Sequence, residues 1–490
     1  MTRLTNDELT EIARRAMIEN GFAPDAPKDV TDAAKSLANE NLNRRTDFAV
    51  RDLRRLLWSS IDNESSRDLD QLEYAEKLAN GDIKLLVAIA DVDALAPKDS
   101  AIDKFARLNT MSIYTGGEVF PMLPERFSTN LTSLNESVDR FAVVIEMIVR
   151  ADGDVQTSDV YRAIVHNHAK LSYEEIGEWL DENADAPDVF ARIKGLEAQI
   201  RLQLETAKRL YKLRKKNGAL EFETIEAAPV VAGGAITDLK TERRSNSARR
   251  IIENFMIATN VETAEFLEKR NFLSLRRVVK IPARWNRIVE IAASFGEHLP
   301  ENPDSVALAE FLERRRIADA VHFPDLSLSV IKLLGAGEYV VQKPDEDAGG
   351  HFGLAVQDYA HSTAPNRRYA DLIVQRLLKA AISGKSAPYT AEELTDTAAR
   401  CNERESRARK VERQIRKTIA ASVMASRLGE IFDAIVTGVN QSGTFARTLR
   451  PPVDGRVVAG EAGLEVGDKV RVKLIDTDAE KGYIDFACKH

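Results

Sequence analysis

The spacing of apolar positions changes along the chain, and each change predicts a different kind of element. Thr5-Asn6-Asp7-Glu8 opens a helix whose stripe is Ile12, Ala16 and Met17. Gly21 and the proline-bounded segment 24–27 end it, and a second helix is expected from about Val30 to Leu42. From about Trp58 to Val155 strand signals dominate. Residues 85–90 (LLVAIA) and 141–149 (FAVVIEMIV) are apolar runs rich in branched side chains, suited to buried strands. Asn80-Gly81-Asp82, Gly116-Gly117 and Asp152-Gly153-Asp154 mark turns between them. Helical spacing returns over about 173–213, 249–269, 371–381 and 391–427. Beyond Gly429 the pattern alternates again, at 431–439, 470–475 and 483–487. About five short strands in so small a segment suit a barrel such as an OB fold. The expectation is an α+β chain in three parts: a short helical segment over 1–50, a mixed α/β body over 51–428, and an all-β barrel over 429–490.

Composition agrees with that division. At roughly 150 residues per domain, 490 residues suggest about three domains. With 44% hydrophobic and 30% charged residues, the chain is neither disordered nor low in complexity. No run of about 18 apolar residues exists, so no membrane span is expected; the richest stretch, 85–96, is broken by Asp91 and Asp93. Asn6-Asp7-Glu8 stands where a secretory signal would need an apolar core. Cys401 and Cys488 are too few for a disulfide framework or a cysteine zinc site, and a reducing, cytoplasmic compartment is expected. His166 and His168 read as ordinary strand or loop residues. The net charge of −8 argues against a protein that coats nucleic acid over its whole surface. The charge is nevertheless uneven. Residues 201–217 hold seven basic residues and one acid, and residues 404–417 hold seven and two. One such run reads as a solvated helix face; two in an acidic chain suggest positive potential gathered near an anionic ligand.

The densest chemistry lies in residues 59–75, where Asp62, Asp68 and Asp70 fall within nine residues. In an extended segment Asp68 and Asp70 share a face. The turn-like residues 63–66 could fold Asp62 back beside them. Converging carboxylates repel unless a cation lies between them. A hard divalent cation, magnesium above all, takes oxygen ligands, water and substrate phosphate together. The rival reading is a polar loop capped by its own side chains.

This segment resembles the I-D…D-x-D-D signature of the ribonuclease II / ribonuclease R family, the RNB domain. The likeness continues in order over about residues 50–425. Val87-Ala88-Ile89-Ala90-Asp91-Val92 is similar to the family's VAIADV strand. Phe120-Pro121-Met122-Leu123-Pro124, Leu131-Thr132-Ser133-Leu134-Asn135 and Val138-Asp139-Arg140 resemble its PMLP, L-C-S-L-N and V-D-R series. Ala169-Lys170-Leu171-Ser172-Tyr173 resembles A-K-L-T-Y, residues 351–354 resemble HFGL, and residues 363–372 resemble TSPIRRYADL. Residues 429–490 resemble the family's C-terminal RNA-binding OB fold of the S-one type. The family usually carries two cold-shock barrels upstream, and residues 1–50 are too short for them.

The resemblance implies a hydrolytic 3′→5′ exoribonuclease that degrades single-stranded RNA to nucleoside 5′-monophosphates with magnesium, manganese being the second candidate, in a monomer. By position it assigns Asp62, Asp68 and Asp70 to the metal and Asp70 to catalysis. Arg367 matches the arginine that holds the scissile phosphate. Arg368 beside it is either a second RNA contact or an internal partner of Asp371. Tyr114 matches an aromatic that stacks on RNA near the 3′ end. Glu253 and Glu412 match acids lining the terminal pocket, and Phe445 is the candidate stacker on the barrel. Gln71 departs from the pattern: the family has a fourth aspartate there, and glutamine lends an oxygen but no charge. Val279, where histidine is common, is a second departure. Two other readings follow from Gln71 and from the family's range: an RNB-like RNA-binding or regulatory protein with weakened chemistry, and a nuclease that trims one structured RNA.

Overall fold

In the computed structural model, which describes residues 4–37, 50–232, 235–243, 246–344, 346 and 348–489, the strand signals of the first third become one sheet curled back on itself. Helices α1 (Asn6–Glu19) and α2 (Lys28–Ser36) precede it. The sheet contains β1 (Arg51–Asp52), β2 (Trp58–Asp62), β3 (Gln71–Lys77) and β4 (Ile83–Ala90). After α3 (Ala101–Asn109) and the small hairpin β5 (Ile113–Tyr114) and β6 (Val119–Phe120), β7 (Asp139–Val149) and β8 (Val155–Ser172) complete it. The order is β1-β8-β2-β3-β4-β7, and β8 also pairs with β7. At 18 residues, β8 is long enough to pair antiparallel with β7 along its first part and parallel with β2 along its last. That double pairing closes the curl and brings the end of β2 beside the start of α4. The β7–β8 turn needs Gly153, whose φ is +92° and where a Cβ would stand 2.1 Å from the Arg209 carbonyl oxygen.

Helices α4 (Tyr173–Leu180), α5 (Asp188–Arg192), α6 (Leu196–Lys216) and α7 (Ser247–Glu268) follow, with the hairpin β9 (Ile225–Ala232) and β10 (Ala235–Arg243) between α6 and α7. The body continues through β11 (Ser274–Val278), α8 (Trp285–Ser294), α9 (Ser305–Ala318), α10 (Phe323–Leu334), β12 (Glu338–Gln342), α11 (Tyr369–Ile382) and α12 (Ala391–Met424). Sheet residues such as Trp58, Leu72, Val87 and Ile145 form one core with Phe255 of α7 and Leu377 of α11. Burying such side chains removes roughly 1.5–3 kcal/mol each from exposure to water.

Residues 270–350, for which the apolar spacing carried no expectation, contain α8 to α10, a three-helix cluster with its own apolar core. The N-terminal residues do not stand apart as a module. Thr5 and Glu8 form the capping box of α1, and its stripe, Leu9, Ile12, Ala16 and Met17, packs on Val411 and Ile415 of α12 and on Ile113 and Phe120 of the hairpin. The second helix ends at Ser36, earlier than expected; positions 38–49 lie outside the described residues.

The C-terminal strands β13 (Ile431–Asn440), β14 (Gly443–Thr448), β15 (Asp454–Ala459), β16 (Lys469–Asp478) and β17 (Tyr483–Lys489) close a five-stranded barrel in the order β13-β14-β15-β17-β16. Its core includes Ala420, Ala421 and Met424 from the end of α12. Arg287 of α8 reaches across to the Val466 carbonyl at 3.0 Å and to Asp468 at 2.9 Å. Among the described residues no helix is long and apolar enough to cross a membrane.

Candidate active site

The acidic loop is held from below by backbone pairing. Asp62 ends β2, and its carboxylate accepts the Asn63 N–H and the Ser66 hydroxyl, both at 2.7 Å. The Lys170 ammonium donates to the carbonyls of Glu64 and Ser66, closing the 63–66 turn. Beyond it, the Leu69 N–H donates to the Ser133 hydroxyl at 2.9 Å, and the Leu134 N–H donates to the Leu69 carbonyl at 3.0 Å. The L-T-S-L-N string thus braces the D-x-D segment. The Ala90 N–H then takes the Asp70 carbonyl into the β3–β4 ladder.

Asp70 is only 2% exposed. One carboxylate oxygen accepts the Asn366 backbone N–H at 3.0 Å, and the other accepts the Arg367 Nε–H at 3.1 Å. Burial outweighs the nearby guanidinium and pushes its carboxyl up to about 7. Asp68 is also raised by burial, against the pull of Arg367 and a hydrogen bond from Tyr114, and it feels the repulsion of Asp62.

Residues 110–114 run beside the loop that carries Arg367: the Ser112 N–H donates to the Arg367 carbonyl at 3.0 Å, and the Tyr369 N–H to that of Thr110 at 2.8 Å. Tyr114 is thereby set next to Arg367 and Asp68, with 44% of its surface exposed. Its backbone N–H donates to Glu412 of α12 at 3.3 Å. Asp62, Asp68, Asp70, Tyr114, Glu412 and Arg367 accordingly share one region.

The Arg368 guanidinium turns inward to Asp371 at 2.9 Å, the internal partner that is one of its two expected roles. The reason is the start of α11, where the buried Asp371 carboxylate needs donors and takes the Ala364 N–H as well. Glu253 is exposed on α7 and pairs with Arg214 at 3.4 Å. Phe445 is half-buried on the barrel under the Lys417 ammonium, 5.4 Å from the ring centre.

Much of the basic charge on α6 and α12 is taken up internally. Arg201 pairs with Glu197, Arg209 with Glu205, Lys215 with Glu313 and Arg409 with Glu405. Arg404 caps the end of α1 by donating to the Gly21 carbonyl. His166 and His168 lie in β8 as strand residues, His166 against Asp139.

The sequence reading missed Tyr173 as a site residue. It opens α4 directly after the β8–β2 pairing, under the Arg249 guanidinium, and its phenol is raised by burial and by Asp62 and Glu73. The only signal was its place in the A-K-L-S-Y string. Asn366, whose backbone orients Asp70, was missed for the same reason: its task is set by a residue 296 positions away.

Gln71 begins β3 and is buried. Among the described residues no group of three or more His, Cys, Asp or Glu side chains is already gathered as a metal cage. The donors still suit a hard cation. They are all oxygen, they repel one another without a counter-charge, and magnesium needs only one or two carboxylates beside water and phosphate.

A fold of this kind, with a phosphate-suited arginine beside an acidic loop and an OB barrel attached, defines a class. The RNB domain profile matches residues 50–384, and the RNase II-type exonuclease C-terminal S1 domain profile matches residues 430–488. The chain belongs to the RNB-domain family. It is 30% identical over 473 residues to Ribonuclease R of Escherichia coli K12, covering 89% of this chain and 57% of that protein. It is 32% identical over 424 residues to Exoribonuclease 2 of Cronobacter sakazakii, covering 85% and 63%. The chain therefore spans less than two thirds of the length of these relatives. Its fold matches RNase R of Mycoplasma genitalium, solved in complex with ribose-methylated single-stranded RNA, with a TM-score of 0.87 at 22% identity over 99% of this chain and 78% of that one.

Proposed function

We propose that this chain hydrolyses single-stranded RNA from the 3′ end and releases nucleoside 5′-monophosphates. The observation that carries the reading is the Asp70–Arg367 pair: a buried carboxylate fixed by the same loop that presents a guanidinium, 43% exposed, beside the acidic segment. Magnesium is the preferred cation, with Asp62, Asp68 and Asp70 as its holders. When bound it supplies neutralising charge at the phosphate and makes a water more acidic. Arg367 has N–H groups left over from Asp70 and aims them at the phosphate oxygens, where negative charge grows in the transition state. The Asn366 N–H keeps Asp70 in place. Tyr114, positioned by Glu412, stacks on terminal bases in a way that tolerates any sequence. Glu253 borders the terminal pocket, and the barrel, through Phe445 and its basic residues, adds affinity upstream.

The test is a 5′-labelled single-stranded oligomer incubated with magnesium, with and without chelator, and with a DNA oligomer alongside. Stepwise shortening of RNA, with mononucleotide release abolished by the chelator, is expected. Internal cuts, or release indifferent to chelator, would overturn the proposal. Gln71 favours a second reading, RNA binding without turnover; binding with no mononucleotide release in the same assay would establish it.

A further inference from the structure

Thr132 has no part in the roles described so far. Its hydroxyl donates to the side-chain carbonyl of Asn366 at 2.5 Å, at the short end for an O–H···O bond. Thr132 is 4% exposed and Asn366 not at all. In so dry a place a hydrogen bond is strong, and removing one partner strands the other. The Asn366 amide has no second hold: among the described residues its Nδ2 is without a partner. In the strings that these two segments resemble, L-C-S-L-N and TSPIRRYADL, the same positions carry cysteine and isoleucine. Both ends of the bond depart from those strings together, a polar pair standing where they have an apolar one.

The bond joins the two halves of the site. Residues Phe127–Leu131 form one π-helical turn, closed by the Thr132 N–H on the Phe127 carbonyl at 3.1 Å. That turn brings residues 132–134 against the acidic segment, where the Ser133 hydroxyl donates to the Arg67 carbonyl at 2.8 Å and accepts the Leu69 N–H. On the other side is the tight turn 364–367, in which the Arg367 N–H donates to the Ala364 carbonyl at 3.2 Å. This turn supplies both donors of Asp70, the Asn366 N–H and the Arg367 Nε–H. Its first residue is tied to Asp371, and its third, Asn366, to Thr132. A strip of three residues therefore holds the D-x-D segment through Ser133 and Leu134, and the arginine turn through Thr132. We propose that Thr132 is a positioning residue for RNA cleavage: through Asn366 it fixes where Asp70 and Arg367 stand relative to the acidic segment. A misplacement of about 1 Å between reacting groups costs about 10²-fold in rate, so a bond that does not touch the phosphate still governs the chemistry. The inference rests on the reading of this site as one that cleaves RNA.

The experiment is single-turnover cleavage of a 5′-labelled single-stranded RNA oligomer with magnesium, the full-length protein being in excess and saturating. A purely structural loss then raises the protein concentration needed for saturation and leaves the rate constant in place. Thr132→Val keeps the shape and removes the hydroxyl; a rate constant about tenfold or more below that of the parent is expected. Thr132→Ser keeps the hydroxyl and should cleave within about threefold of the parent. Asn366→Ile cuts the bond from its other end and leaves the backbone N–H to Asp70, so its loss should match that of Thr132→Val. The double variant should be no slower than the slower single one, because both changes remove one interaction. If Thr132→Val cleaves at the parent's rate, or Thr132→Ser falls as far as Thr132→Val, the hydroxyl positions nothing and the proposal is overturned. If the two losses multiply in the double variant, Thr132 does not act through Asn366. Should Thr132→Val fail to fold, Asn366→Ile decides alone, and cleavage at the parent's rate overturns the proposal. A parent protein that binds RNA and releases no mononucleotide overturns the cleavage reading, and the role of Thr132 with it.

Discussion

The Arg367 Nε–H donates to Asp70 across 3.1 Å, joining a carboxylate 3% exposed to a guanidinium 43% exposed. The pair gives two jobs to one loop. Asn366 and Arg367 together fix both oxygens of Asp70, and the guanidinium of Arg367 stays partly exposed. Asp70→Asn keeps one acceptor for the Asn366 N–H but loses the charge. Cleavage should fall by on the order of 10³-fold or more, with RNA binding retained. Quenched-flow turnover and equilibrium binding on the same preparation check this, and turnover near that of the parent would remove Asp70 from the chemistry.

Arg367→Ala should act on rate more than on affinity, because its contact strengthens as charge develops on the phosphate. A loss of about 10²-fold in kcat at saturating RNA is expected. A variant that binds RNA more weakly but cleaves normally at saturation would reduce Arg367 to a positioning residue.

Leu9 tests whether α1 belongs to the body. It is buried against α12, and its side chain lies 2.9 Å from where a Cβ on Gly117 would be, at the tip of the hairpin that carries Tyr114. Leu9→Ala should destabilise the chain by about 2–5 kcal/mol. Urea unfolding measures it; a change within error would mean that α1 is a loosely attached arm.

Arg456 pairs with Phe445 in the β14–β15 ladder, is exposed, and lies on the barrel side facing Lys417. Arg456→Ala should weaken RNA binding and flatten the slope of log affinity against log salt by about 0.7, the share of one phosphate contact on a single strand. An unchanged slope would place the barrel's RNA path elsewhere. Point variants suit this test better than truncation, since removing the barrel uncovers Met424 and Ala421.

Stability should fall in mild acid through two half-buried histidines. Burial pushes His351 down to about 4, and His361, packed between Tyr339 and Tyr359, is held further below its ordinary range. Both have folded pKa values below the unfolded value of about 6.5, so the unfolded chain binds more protons between those limits. Stability is then complete above about pH 6.5 and is lost as pH falls toward 4. His351→Asn keeps an acceptor for the Leu354 N–H without the titration, and its melting temperature should fall less steeply over that window. Parallel curves for the two proteins would exclude His351 from the effect.

Local chemistry was legible in the chain itself. Period and capping located α1, β4, β7, α7, α11 and α12, because a helix stripe, an apolar strand run and a Thr-x-x-Glu box act over a few residues. Asp62, Asp68 and Asp70 were legible for the same reason, being joined by one short turn. What the fold decided involves partners distant in sequence. Asp70 meets Asn366 and Arg367 only because α11 begins against the edge of residues 110–114. Tyr173 enters the site because β8 is long enough to pair with β7 and then β2 and deliver its end beside Asp62. Arg404, one of the basic run on α12, turns to the uncapped end of α1, and of the two roles open to Arg368 the pairing with the buried Asp371 is the one the fold forms. Spacing along a chain specifies which face a side chain takes; what covers that face depends on segments hundreds of residues away, and no local rule contains them.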